Sequence, residues 1–143
     1  MTEIIAVTDF APEYAAAVRK LLGQLTTRAV ACTDEDLKHL IAQENSHLFL
    51  LTADGEIAGM LTVGIYHSPT GGKAWIEDVV IDEAHRGQGL SKLLVAHAIR
   101  FVQAQGIPLL MLTSNPTRIA ANRLYQGMGF EPKQTNVYRM NIE

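Results

Sequence analysis

The 143-residue chain has one cysteine, Cys32, which excludes an internal disulfide and any metal site built from several cysteines. A reducing compartment suits such a chain. It also lacks long apolar runs: none approaches the roughly 18 residues of a membrane helix, and the start Met1-Thr2-Glu3 has neither the basic residues nor the apolar stretch of a signal peptide. The expected location is therefore the cytoplasm, with no membrane partner. Positive charge is not in excess either. A net charge of -3 gives no sign of a basic surface, so nucleic acid is not an expected partner. Internal repeats, low-complexity tracts and linkers are absent as well. What is present is an apolar fraction of 48% and a charged fraction of 19%, the balance of a chain that packs one core. A single domain over residues 1–143 is the expectation.

Periodicity outlines a mixed α/β (α+β) order. Ile4 to Thr8 reads as a short strand, and Pro12 suits the first turn of a helix to about Gln24, with Ala15, Val18, Leu22 and Leu25 as its buried stripe. Thr33 with Asp36 three residues on predicts a capped second helix. His47–Thr52 and Glu56–Tyr66 flank Asp54-Gly55, a strong hairpin signal. After the turn Ser68–Gly72, a third strand runs from Lys73 to Ile81; its end, Val79-Val80-Ile81, is apolar on both faces and so central. A polar loop then leads to a helix with Leu90, Leu93, Leu94, Ala98, Phe101 and Val102 on one face, stopped by Gly106 and Pro108. Leu109–Thr113 follows as a buried parallel strand. A helix near Arg118–Met128, closed by Gly129, and a last strand over Thr135–Ile142 complete the order.

The segment Val79-Val80-Ile81-Asp82-Glu83-Ala84-His85-Arg86-Gly87-Gln88-Gly89-Leu90-Ser91 joins a buried strand to a long helix. Glycines let backbone N–H groups approach a ligand, and a helix start adds unpaired donors and partial positive charge, so this turn suits a pyrophosphate. Arg86 and Lys92 add formal charge. A dinucleotide-binding turn would want a third glycine at Lys92, and a nucleoside-triphosphatase loop would want Gly-Lys-Ser or Gly-Lys-Thr. Glycines that merely shape a turn remain the alternative.

In two blocks the chain resembles the Gcn5-related N-acetyltransferase superfamily. The first is that superfamily's acetyl-coenzyme A signature, Arg or Gln, two residues, Gly, one residue, Gly or Ala, matched by Arg86, Gly89 and, as a departure toward another small residue, Ser91. The second is Leu112 to Phe130, with Asn122, Leu124-Tyr125 and Gly129-Phe130 at family spacing and Arg118 where many relatives carry asparagine. The resemblance implies a mixed, mostly antiparallel sheet of six to seven strands, four helices over both faces, and strands splayed at the coenzyme site. It implies acetyl-coenzyme A as cofactor, held by Val79, Val80, Ile81, Arg86, Gly87, Gln88, Gly89, Leu90, Ser91, Asn115, Arg118, Asn122 and Tyr125. The activity implied is transfer of acetyl to a primary amine by direct attack in a ternary complex.

For that chemistry Tyr125 is the candidate general acid. Asn122 and Tyr125 lie three apart, on one side of a predicted helix. Glu77 and Asp78 are candidates for substrate handling or as base, since a carboxylate on a mostly buried strand is costly unless paired or used; strand alternation would send them to opposite faces. Arg28, His67 and Lys73 lie where relatives shape the acceptor site. No dense acidic cluster accompanies them, which points to a small amine such as an amino sugar phosphate or amino acid. A peptide acceptor, a coenzyme-binding sensor without turnover, or a longer acyl chain are the alternatives. Relatives often pair through late strands, which implies a homodimer here. His39, His47, His67, His85 and His97 show no ligand spacing, so no metal is expected. His85 reads as a solvated loop residue, His97 as a satisfied position on an apolar helix side, and Cys32 as packing.

Overall fold

The computed structural model describes residues 1–28 and 30–142. Its elements are β1 (Thr2–Ala6), α1 (Pro12–Leu25), α2 (Asp34–Ala42), β2 (Ser46–Ala53), β3 (Glu56–Ser68), β4 (Gly71–Ile81), a 3-10 turn (Glu83–His85), α3 (Leu90–Ala104), β5 (Leu110–Leu112) and α4 (Ile119–Gly127). They fall into two compact units, Met1–Thr113 and Ser114–Glu143.

In the first unit the strands form one sheet in the order β1-β2-β3-β4-β5. Neighbours from β1 to β4 are antiparallel, and β4 pairs β5 in parallel after the α3 crossover. The β2–β3 hairpin turns at Asp54 and Gly55, both at positive φ (51° and 85°), as a two-residue turn matched to strand twist requires. Leu48, Leu50, Met60 and Val80 pack in one cluster with Ala15, Val18 and Leu21 of α1 and Leu37 of α2. Phe49, one residue out of phase, turns to the other face and meets His97 and Phe101 of α3 with ring centroids 4.8 and 5.1 Å away. The sheet thus buries both faces, α1 and α2 on one and α3 on the other. Gly59 sits close under this face: a Cβ would stand 2.7 Å from Ile81 Cδ1, which would have to shift, and 3.1 Å from the Val80 carbonyl oxygen.

Local signals account for the ends of the helices. Thr33 Oγ1 accepts from the Asp36 N–H while the Asp36 carboxylate accepts from the Thr33 N–H, a reciprocal cap on α2. At the end of α3, Gly106 takes φ 72°, and the N–H groups of Gly106 and Ile107 bond the carbonyls of Gln103 and Val102, the paired closure that a left-handed residue permits.

The second unit repeats this closure. Gly129 (φ 105°) donates to the Gln126 carbonyl and Phe130 to the Tyr125 carbonyl, and the Phe130 ring stands edge-on to Tyr125 at 6.1 Å. That ring pair is the apolar contact that accompanies such a helix end.

Several expectations are corrected. The described residues hold five strands, not six to seven, because Thr135–Ile142 has no strand and exposes Val137, Tyr138, Met140 and Ile142 at 72–88%. Alternation yields a strand only when a partner takes its backbone groups, which pattern alone does not reveal. β1 lies at Thr2–Ala6 rather than Ile4–Thr8, its register set by pairing from Thr2↔Ala53 to Ala6↔Phe49. Leu21 joins Ala15 and Val18 as a buried residue of α1, with Leu22 and Leu25 on the flank of the cluster; Leu93 of α3 is 43% exposed.

Candidate functional site

The second half of β4 leaves the regular ladder on both sides. Toward β5, pairing covers only Ala74↔Leu110 to Ile76↔Leu112, so β4 beyond Ile76 is no longer joined to it. Toward β3, Thr62 faces Glu77 and Met60 faces Val80, leaving Asp78 and Val79 opposite Leu61 alone. This bulge places Asp78 at φ 52°, a left-handed conformation that a short polar side chain tolerates. The extra residue breaks the alternation, so Glu77 and Asp78 are both exposed instead of one being turned inward. Partial desolvation, then the neighbouring Asp78 charge, raises the Glu77 pKa. Val80 is buried with α1, while Val79 and Ile81 are half-buried.

Beyond Ile81 the chain enters the glycine turn. Gly87 (φ 80°) and Gly89 (φ 74°) both adopt left-handed backbone, and a Cβ at either would meet nothing within 4 Å. Glycine is required there by conformation, and the space beside it is open. Gly89 is the N-cap of α3 with no side-chain cap, so the first amides of the helix keep their donors, in the arrangement that binds anions. Arg86, Gln88 and Lys92 are exposed, Ser91 is half-buried, and Leu90 anchors the helix start in the core. The Arg86 Nε–H donates to the Ile81 carbonyl at 3.1 Å. These features fit the pyrophosphate of a coenzyme: open space, free N–H donors and an arginine fixed at one side.

Buried Asp82 and its half-buried partners Gln24 and His85 form a polar group that sequence reasoning missed. Asp82 is 4% exposed; its Oδ1 accepts from Gln24 Nε2 at 2.8 Å and its Oδ2 from His85 Nδ1 at 3.1 Å. Hydrogen bonding from Gln24 leads the effects that hold the Asp82 pKa below its ordinary value. His85 is accordingly a bonded residue, not a solvated one. No spacing in the sequence links Gln24 to Asp82; only the packing of α1 on the sheet brings them together.

In the second unit, the expected coenzyme ligands Asn115 and Asn122 are occupied with local structure. Asn115 Oδ1 accepts from the Thr117 N–H and hydroxyl at 3.0 and 2.8 Å. Asn122 Nδ2 donates to the carbonyls of Asn115 and Arg118 at 3.0 and 2.9 Å, so both its protons are taken. Arg118, the N-cap of α4, is exposed. Tyr125 is buried, and burial raises its pKa, with Arg118 opposing; the phenol therefore stays protonated at neutral pH. Ser114 Oγ is a buried hydroxyl with no hydrogen-bond partner.

Of the acceptor candidates, His67 and Lys73 share the β3–β4 hairpin. Lys73 Nζ donates to Ser68 Oγ and Thr70 Oγ1 and lies 5.8 Å from the centroid of the Tyr66 ring, so its charge is held within the hairpin. A Cβ at Gly72 would come within 3.0 Å of His67 Nε2. Arg28 is exposed and its backbone N–H donates to Thr26 Oγ1. Among the described residues no group of three His, Cys, Asp or Glu is placed to hold a metal ion, and no helix is long and apolar enough to cross a membrane.

Comparison with known proteins places these features in a family. The N-acetyltransferase family 8 member 2 of Rattus norvegicus is 28% identical over 116 residues, covering 78% of this chain and 50% of that protein. The chain spans about half the length of the curated relatives it matches. Among solved structures, an aminoglycoside acetyltransferase (meta-AAC0020) from an uncultured soil metagenomic sample, in complex with trehalose, superposes with a TM-score of 0.85 at 18% identity, covering 99% of this chain and 97% of that one. AAC(6')-Iy in complex with the bisubstrate analog CoA-S-monomethyl-acetylneamine gives a TM-score of 0.82 at 19% identity, with 99% of each chain covered. At these identities the structures speak for the fold. The model of the acetyltransferase (GNAT) family matches residues 15–130, and the chain belongs to that family.

Proposed function

We propose that the protein is an acetyl-CoA-dependent N-acetyltransferase that acetylates a primary amine on a small molecule by direct attack in a ternary complex. One observation carries the reading: an uncapped helix start with two open left-handed glycines follows directly on a strand that has left its neighbour. The CoA-based analog bound by AAC(6')-Iy supports it. The family match runs through both compact units, which supports treating residues 1–143 as one functional domain.

Acetyl-CoA supplies an acyl group activated as a thioester. The amides of Gly87 to Ser91, with Arg86, hold its pyrophosphate, and the backbone edge at Val79, Val80 and Ile81, which β5 does not pair, aligns its arm. Asn115 and Asn122 act through the loop they brace, beside Arg118. Tyr125, kept protonated by burial, gives a proton to the departing thiolate. Glu77 and Asp78 present two carboxylates at one bulge; they attract an ammonium group, and Glu77, with its raised pKa, accepts a proton as the amine attacks. An amino sugar phosphate or amino acid remains the preferred acceptor class, ahead of a peptide. The aminoglycoside enzymes among the neighbours support a small-molecule amine. Homodimerisation through the exposed apolar residues of the tail, Val137, Tyr138 and Met140, belongs to the same reading.

Calorimetric titration with acetyl-CoA, followed by thiol release against small amines and peptides, tests this. Binding with turnover on small amines is expected. Turnover on peptides alone moves the acceptor class, binding without any turnover leaves a sensor or an acceptor outside the panel, and no binding returns the glycines to turn-shaping.

A further inference from the structure

Asp82 is the one buried charged residue among those described, and a buried carboxylate is unfavourable unless its oxygens are bonded. Three elements supply its partners. Its N–H donates to the carbonyl of Ala58 at 2.7 Å, the residue that bulges out of β3 between the pairs Leu51↔Gly59 and Thr52↔Ile57. From the C-terminal half of α1, Gln24 Nε2 donates to Oδ1, and Lys20 Nζ, one turn earlier, lies 3.7 Å from Oδ2. From within the turn, His85 donates to Oδ2; since a carboxylate only accepts, Nδ1 carries that proton. Gln24 then uses its other end, Oε1 accepting from the Glu83 N–H at 2.9 Å. One side-chain amide therefore grips two successive residues of the chain that leads into Gly87 and Gly89.

We propose that Gln24 and Asp82 are positioning residues that pre-order the turn for the coenzyme's pyrophosphate; this rests on the coenzyme reading given above. Left-handed glycines provide the shape but also the greatest freedom to lose it, and a ligand that must order its own site binds more weakly. The Asp82 charge cannot help an anion by attraction. Its oxygens are turned to Gln24, His85 and Lys20, so its contribution is to the geometry of residues 82–86. Arg86, bonded to the Ile81 carbonyl, is oriented from the same anchored stretch.

The test uses calorimetric titration with CoA and amide hydrogen exchange of the unliganded protein, on the parent, Gln24→Ala, Gln24→Glu and the double variant Gln24→Glu/Asp82→Asn. Losing the Gln24 amide should weaken CoA binding about tenfold and raise exchange at residues 83–89. Gln24→Glu should be worse, because two carboxylates then meet. In the double variant the amide introduced at position 82 donates to the carboxylate introduced at position 24 and still accepts from His85, so CoA affinity should return to within about threefold of the parent. Gln24→Ala binding CoA like the parent, or a double variant no better than Gln24→Glu, overturns the positioning role. A parent that does not bind CoA at all overturns the coenzyme reading instead, and this role with it. Should Gln24→Ala melt far below the parent, the exchanged pair still decides, since its hydrogen bonds are preserved.

Discussion

At Arg86–Ser91 the helix start has no side-chain cap and the two glycines have open space beside them, while Asp82 and Glu83, which lead into the turn, are held from elsewhere by Gln24 and the Ala58 carbonyl. At Asn115–Asn122 the Asn115 side-chain oxygen and the Asn122 amide protons are taken by local bonds, with a buried phenol at Tyr125 and an exposed arginine at Arg118 nearby in the chain. Both segments carry the family signature, yet the first leaves its helix start without a side-chain cap while the second spends side-chain amide groups on local bonds. A motif residue can therefore be kept in place by the need to shape a backbone, and its identity alone does not say which of the two it does.

The contrast predicts effects of different kinds. Tyr125→Phe should give the largest, lowering kcat about a hundredfold with little change in acetyl-CoA affinity; a turnover rate unchanged across pH would remove the general-acid assignment. Gly89→Glu should weaken acetyl-CoA binding about thirtyfold, because a side chain at φ 74° is strained and its negative charge opposes the phosphates. Equal affinity in calorimetry would sink the cradle. Asn122→Ala should instead cost stability, about 1–2 kcal/mol from two lost hydrogen bonds, with acetyl-CoA affinity changed less than about threefold. A large affinity loss without a fall in the denaturation midpoint would make Asn122 a direct ligand after all.

The smallest effect concerns a region outside both segments. Burial of His47 and His97, which pack against Phe101 and Phe49, lowers both pKa values, and for His97 the Arg100 charge adds to this. In the unfolded chain these imidazoles take up protons at higher pH than in the fold. Stability should therefore rise with pH through the ordinary histidine range near roughly 6.5 and be lost as pH falls, levelling off once the folded-state groups are themselves protonated. Thermal unfolding between about pH 5 and 7.5 should show this slope in the parent and a shallower one in His97→Gln. Identical slopes would assign the dependence to other groups.

Much of the frame is legible in residues alone. Pro12, the Thr33–Asp36 pair, Asp54-Gly55, Gly106 with Pro108 and Gly129 are local signals, and local signals survive because a cap or a turn is made by residues within a few positions of one another. The glycine turn is legible for the same reason. The tail imitates a strand in its sequence because alternation says nothing about whether a partner is present. Glu77 and Asp78 cannot be placed on their faces from sequence because a bulge is a mismatch between two strands, and one strand's residues do not contain it.

What the sequence by itself determined is where helices start and stop and where the chain turns, since each depends on the φ preference or hydrogen-bonding reach of a few adjacent side chains. Only the tertiary structure decided that Asp82 is buried and held by Gln24, 58 positions away in the chain, and that β4 parts from β5 after Ile76. Those outcomes depend on which surfaces come to lie against each other, a property of the packed sheet and its helices that no window of sequence carries.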